Sequence, residues 1–197
     1  MSLQEYTELK ESCLKCTACT LAEKRTQVVF SSGPFPCDLM LIGEAPGADE
    51  DEQGVPFVGR SGQLLSKMLE SVNISRETGA YVTNICKCRP PENRAPEAEE
   101  ISACVHWLKD QIRLVQPKVI VLVGATAMKA LVGNEVKISK QRGIWITYEG
   151  IDTMVIFHPA FLLRYASQEV GSPKWLTWQD LKAVKSALDF KKVETQV

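Results

Sequence analysis

The chain has 197 residues, 45% of them hydrophobic and 24% charged, which is the composition of a soluble globular protein long enough to bury a substantial core. MSLQEYTELKESC has no apolar run after a basic region, and no stretch of about eighteen apolar residues occurs, so a secretory leader and a membrane span are both excluded from the expectation. The net charge of −1 decides nothing about nucleic acid, because a balanced total can conceal a one-sided basic surface.

A cytoplasmic protein is expected, and one domain is the default reading of residues 1–197. In that compartment seven cysteines at uneven spacings are poor material for disulfides and better material for a metal or cluster. Three of them come early. Cys13, Cys16 and Cys19 make two overlapping C-x2-C spacings.

The first apolar, β-branched run, Leu39 to Ile42, reads as a buried strand, and GEAPG (43–47) follows it directly. Leu64, Leu65, Met68, Leu69 and Val72 form a helical stripe. A second strand runs from Tyr81 to Ile85 and carries Asn84 near its end, before the proline loop RPPENRAP (89–96). Pro96 opens a helix with Glu97, Glu99 and Glu100 in its first turn, where the dipole favours acids. Ile101, Cys104, Val105, Leu108, Ile112 and Val115 share one of its faces. A third strand, Val119 to Val123, leads through Gly124 into a helix from about Ala125 to Leu131, closed by Gly133. The fourth, Met154 to Phe157, ends at His158-Pro159-Ala160, and a last helix carries Trp175 and Trp178, one of them expected against the sheet.

Strands alternating with helices predict a three-layer α/β/α sandwich around a central, mainly parallel, four-stranded sheet. Such sheets bind ligands outside the carboxyl ends of their strands. Glu44, Asn84, Gly124 and His158 all fall there. A carboxylate, a carboxamide, a glycine turn and an imidazole are thus expected around one crevice.

Each motif has a plainer meaning to weigh. Cys16 and Cys19 with Cys88 and Cys104 would supply four thiolates, for zinc or an iron–sulfur cluster about equally, although Cys104 alone reads as a buried thiol on an apolar helix face. Cys37 and Cys86 stay unassigned beside the strands. GEAPGADEDEQG could be an acidic surface turn, and it lacks both G-x-G-x-x-G and a P-loop lysine, which disfavours nucleoside triphosphates. His158 ends a strand, where an imidazole titrates usefully, whereas His106 lies mid-helix off the apolar stripe and reads as solvated. Arg60, Lys87, Arg89, Arg94, Lys137, Lys140, Arg142 and Arg164 fall mostly in loops, which suits phosphate contact as well as ordinary solvation.

Taken together, CTACTLAEKRTQVVF, LIGEAPGADEDEQGVPFVGRSGQLL, YVTNICKCRPPENRAPEAEEISAC, KVIVLVGATA, ISKQRGIW and FHPAFLLR resemble the family 4, iron–sulfur class of uracil-DNA glycosylases. The likeness runs from about Cys16 to Arg164. It implies a 4Fe–4S cluster on Cys16, Cys19, Cys88 and Cys104, joining the N-terminal segment to the 88–104 loop and helix within a single glycosylase domain. It implies a monofunctional enzyme that hydrolyses the N-glycosidic bond of deoxyuridine in single- or double-stranded DNA, a monomer with no membrane partner.

By the same resemblance His158 donates to the developing O2 anion of uracil, Asn84 reads the O4 and N3–H edge, Phe57 stacks on the flipped ring, and Glu44, Ala45 and Pro46 line the pocket. Other superfamily members carry aspartate where Ala45 stands, so Glu44 is the expected water-positioning or cation-stabilising group, with Asp49 and Glu50 as competitors. The acidic stretch is expected to wall out thymine's methyl. Arg142 and Arg164 are expected to clamp DNA phosphates. A cluster-stapled module that binds a base without cleaving it is the competing reading, but it has no use for an anion-stabilising imidazole. A cross-linking relative would need a histidine in KCRPPENRAPEAEE, which has none.

Overall fold

Residues 2–133 and 137–194 are described by a computed structural model. In chain order the elements are α1 (Leu3–Leu14), β1 (Leu39–Gly43), α2 (Ala48–Gln53), α3 (Arg60–Glu70), α4 (Arg76–Gly79), β2 (Tyr81–Asn84), α5 (Ala98–Val115), β3 (Val119–Val123), α6 (Ala125–Val132), α7 (Ile138–Gln141), β4 (Trp145–Tyr148), β5 (Ile151–Ile156), α8 (Pro159–Leu162) and α9 (Pro173–Glu194).

The strands form one sheet in the order β2-β1-β3-β5-β4. The first four are parallel and β4 runs antiparallel to β5. Successive side chains on a strand point to opposite faces, so a strand buried on both faces is expected to be largely apolar. β1 and β3 are apolar throughout, whereas β2 ends in Thr83 and Asn84 and β5 begins with Ile151, Asp152 and Thr153. Leu39, Leu41, Val119, Val121, Val123, Met154 and Ile156 meet Leu65 and Leu69 of α3 and Leu181, Val184 and Leu188 of α9 on one face. Met40, Ile42, Ile120, Leu122 and Val155 meet Leu108, Ile112 and Val115 of α5 and Met128 of α6 on the other. The expected three layers are present, with five strands in place of four.

The additional strand is the half-exposed edge β4, joined to β5 by Glu149 (φ 48°) and Gly150 (φ 83°). Two positive φ values are the signature of the tight hairpin turn that Gly favours at its second position.

The N-terminal segment is tied down by polar contacts. Asp51 is buried on α2 and its carboxylate accepts N–H bonds from Thr26 (3.0 Å) and Gln27 (3.3 Å). Val29 N–H donates to the Lys87 carbonyl at 2.8 Å, and Ser32 bridges Val82 of β2. The chain beyond Cys19 therefore runs beside the sheet edge, within reach of the loop that follows β2.

Candidate active site

The carboxyl ends of β1, β2 and β5 border a cavity of about 530 Å³ lined by Glu44, Ala45, Pro46, Phe57, Asn84 and His158 together with Glu50, Ser61, Arg94, Phe161 and Arg164. All six residues expected at the base pocket are brought together there. Two glycines make the convergence possible. A Cβ on Gly43 would lie 2.4 Å from Asn84 Oδ1 and 2.5 Å from Phe57 Cζ, and one on Gly124 (φ 98°) would lie 3.0 Å from His158 Cβ. Any larger residue at either position would push a lining side chain out of place.

Asn84 is 2% exposed, and its Oδ1 is buried with no hydrogen-bond partner among the described residues. A buried, unpaired carboxamide oxygen costs about 1–3 kcal/mol, a cost that a donor on a ligand would remove. Opposite it, His158 Nδ1 accepts the Ala160 N–H at 3.1 Å. That bond places the ring proton on Nε2 and makes the imidazole a donor. Burial pushes the His158 pKa below its ordinary value, against the opposing pull of Glu44 and Glu50, so the neutral ring is favoured. The Phe57 and His158 rings lie 6.1 Å apart, centroid to centroid.

Phe57 sits at φ 55°, a left-handed backbone that is uncommon for a bulky residue. Arg76 holds it there. Its two terminal nitrogens donate to the carbonyls of Pro56 and Phe57, and Nη1 also reaches Ser66 Oγ at 3.3 Å. The start of α3 presses on the same turn, since a Cβ on Gly62 would fall 1.8 Å from the Phe57 oxygen.

The three candidate carboxylates have different surroundings. Glu44 accepts a hydrogen bond from Thr126 of α6 and faces the cavity. Glu50 accepts the N–H groups of Gly47 (3.0 Å), Val58 and Gly59 (both 2.9 Å), bracing the two turns that carry Pro46 and Phe57. Asp49 is exposed and does not line the cavity.

Beside this pocket, Cys13, Cys16, Cys19, Cys88 and Cys104 line a second, small cavity with Arg25, Lys87 and Trp107. Arg25 Nη1 donates to Cys88 Sγ at 3.2 Å and the Lys87 N–H donates to Cys104 Sγ at 3.3 Å. Among the described residues no three His, Cys, Asp or Glu form a group that could hold a metal ion. Five thiols around one small cavity, with N–H donors on two of them, are the donor chemistry that an iron–sulfur cluster uses. Burial pushes the thiol of Cys88 up to about 11, while a hydrogen bond with the neighbouring Cys86 thiol pulls Cys104 down, so metal binding at Cys88 must release a proton.

Comparison with known proteins shows the family. The family model of the uracil DNA glycosylase superfamily matches residues 30–182. The type-4 uracil-DNA glycosylase of Thermotoga maritima is 43% identical over 186 residues, covering 93% of this chain and 95% of the relative. Those of Pyrobaculum aerophilum and Sulfurisphaera tokodaii are each 38% identical, covering 83% and 82% of this chain and 86% and 77% of theirs.

The chain belongs to the type-4 uracil-DNA glycosylases.

For this type-4 chain, Arg142, expected to clamp a phosphate, is engaged by α9, and Lys87, one of the basic residues read as suiting phosphate contact or ordinary solvation, is buried. Arg142 pairs with Asp180 of α9, donates to the Leu176 carbonyl at 3.1 Å and lies 5.8 Å from the Phe157 ring centroid. With side-chain exposures of 15% and 4%, Arg142 is half-buried and Asp180 buried, and the pair joins the β5 end to α9. Lys87 is 1% exposed. Its ammonium is bonded to Thr83, Asn84 and Gln111, which takes it out of the phosphate-facing set. Arg164 is exposed at the cavity mouth, and Arg94, also at the cavity, pairs with Glu100.

Sequence reasoning missed Thr126 and Arg76. Thr126 follows Gly124 by two residues at a strand end, a place that could have drawn notice. Arg76 carried no signal, because its partners are 19 and 20 residues away.

Proposed function

We propose that the chain is a monofunctional DNA repair glycosylase that hydrolyses the bond between uracil and deoxyribose in single- or double-stranded DNA. It acts as a single-domain cytoplasmic monomer, releases uracil and leaves an abasic site. The reading rests above all on the buried, unpaired Oδ1 of Asn84 sharing one cavity with a donor-form His158.

Uracil flipped into that cavity offers N3–H to Asn84 Oδ1 and O4 to the carboxamide nitrogen. Cytosine presents the reverse polarity, a bare N3 and an amino group, and would leave the buried carboxamide facing like against like. Sites built on such bonds reject the wrong partner by about 10⁴–10⁵. As the C1′–N1 bond lengthens, negative charge gathers on N1 and O2 of the base. The Nε2–H of His158 stabilises it in a site with little water. Phe57 stacks on the ring, and Glu44, oriented by Thr126, faces the sugar cation and directs the attacking water.

Cys16, Cys19, Cys88 and Cys104 would hold a 4Fe–4S cluster, supplying a covalent staple between the N-terminal segment and the loop and helix after β2. Cys13, buried beside them, is a protonated neighbour in this reading. The remaining contacts at that end are the chain's own: Asp51 on 26–27, and Val29 on Lys87.

The test is incubation of purified, brown protein with an oligonucleotide carrying one uracil, followed by alkaline cleavage. Strand scission at the uracil is expected, and intact strands would sink the enzyme reading. Cys88→Ala should give colourless, poorly folded protein; a colourless variant that folds and cleaves would remove the structural role of the cluster.

A further inference from the structure

A third cavity, of about 470 Å³, opens between α3 and α9 and is lined by Leu64, Lys67, Met68, Gln168, Trp175 and Trp178, with Lys174 and Ser71 at its edges. Its charged lining side chains are both lysines. Trp178 backs onto the sheet core, and Lys182 Nζ stands 3.9 Å from its ring centroid. Trp175 is partly buried, lines the groove and belongs to none of the core clusters among the described residues.

The groove continues the base pocket along two elements. On α3, Ser61 lines the pocket while Leu64, Lys67 and Met68 line the groove. In the segment after α8, Arg164 lies at the pocket mouth and Gln168 at the groove. At 1.5 Å per residue Ser61 and Met68 are about 10 Å apart along the helix, so the groove lies within a few nucleotides of the pocket. Aromatic faces interleaved with lysines, and no carboxylate in the lining, are the chemistry that holds single-stranded nucleic acid.

We infer that this groove carries the single strand of DNA flanking the flipped nucleotide on one side, with a base stacked on Trp175 and phosphates near Lys67 and Lys174. The inference rests on the glycosylase reading for its substrate, but its binding can be tested without it.

Two measurements decide. In the first, a labelled, uracil-free oligothymidylate is titrated by fluorescence anisotropy. Trp175→Ala should weaken binding about tenfold, and Lys67→Gln with Lys174→Gln should flatten the slope of log Kd against log salt by roughly 0.7 for each lysine removed. Unchanged affinity and slope would overturn the groove whatever the enzyme does to uracil. In the second, the kinetics of a trinucleotide with central uracil are compared with those of two 15-mers carrying uracil near the 5′ or the 3′ end. Trp175→Ala should raise KM for one 15-mer about tenfold, leaving the trinucleotide and the other 15-mer alone. An equal effect on all three would mean general damage and would also overturn it. A wild-type protein that binds oligothymidylate through the groove yet releases no uracil would sink the glycosylase reading alone.

Discussion

Lys87 Nζ lies 2.6 Å from the main-chain oxygen of Asn84, so a buried ammonium holds the backbone of the residue proposed to read the base. Its other contacts are Gln111 Oε1 at 2.6 Å and Thr83 Oγ1 at 2.7 Å, and its own N–H donates to Cys104 Sγ. One residue thus connects the sulfur-lined cavity with the pocket. Lys87→Met removes the donor from the Asn84 carbonyl, whereas Gln111 Oε1 keeps the Thr83 hydroxyl at 3.2 Å and that hydroxyl keeps the Phe30 carbonyl at 2.8 Å; a buried acceptor left unpaired costs about 1–3 kcal/mol. A loss of about 2 kcal/mol in urea denaturation is expected, with KM for uracil-DNA raised. An unchanged midpoint would show that these bonds stabilise nothing.

Arg76 acts on Phe57 through the backbone, gripping the carbonyls of Pro56 and Phe57 and stabilising a φ of 55°. Arg76→Met should lower kcat/KM for uracil-DNA about tenfold by letting the stacking ring drift. A double-mutant cycle tests the route: in a Phe57→Ala background the same change should cost little, giving a coupling of roughly 1 kcal/mol. Additive losses would confine Arg76 to general stability.

The parallel sheet was legible because β1 and β3 are buried and apolar throughout while β2 and β5 each carry a short apolar run, Tyr81 with Val82 and Met154 to Ile156, a pattern that survives without tertiary information. Their order of exit residues then placed Glu44, Asn84 and His158 at one rim. β4 escaped because an exposed edge strand needs apolar residues on at most one face, and Trp145 to Tyr148 alternate weakly. Charge was the least legible property. Lys87 and Arg142 looked like loop cations, yet each is bought into the interior by acceptors distant in sequence, Gln111 and Asp180, which no local pattern announces. In the acidic run after GEAPG, Glu50 lines the cavity and also accepts backbone N–H groups of the neighbouring turns, as Asp51 does from 26–27, partners that no local pattern announces.

His158 gives a pH prediction. Burial lowers its pKa, and protonation at Nδ1 would also cost the bond from Ala160 N–H. The neutral, Nε2–H form therefore persists as pH falls past the ordinary histidine value, and kcat should hold through about pH 6.5 and drop only below it. His158→Ala should remove that acid limb and lower kcat by about 10²–10³. An acid limb centred above the ordinary value would contradict the assignment.

Arg142 and Arg164 separate bracing from DNA contact. Arg142→Ala leaves the Asp180 carboxylate, 4% exposed, buried without its partner, and breaking a buried pair from one side costs about 3–5 kcal/mol. Its denaturation midpoint should fall sharply while the salt dependence of DNA binding stays as in the wild type. Arg164 is exposed at the cavity mouth, so Arg164→Ala should leave the midpoint alone and reduce the duplex salt slope by about 0.9, one phosphate contact. The two measurements should therefore cross. If Arg142→Ala flattened the salt slope without loss of stability, the ion pair with Asp180 would not hold in solution, and Arg142 would return to the phosphates.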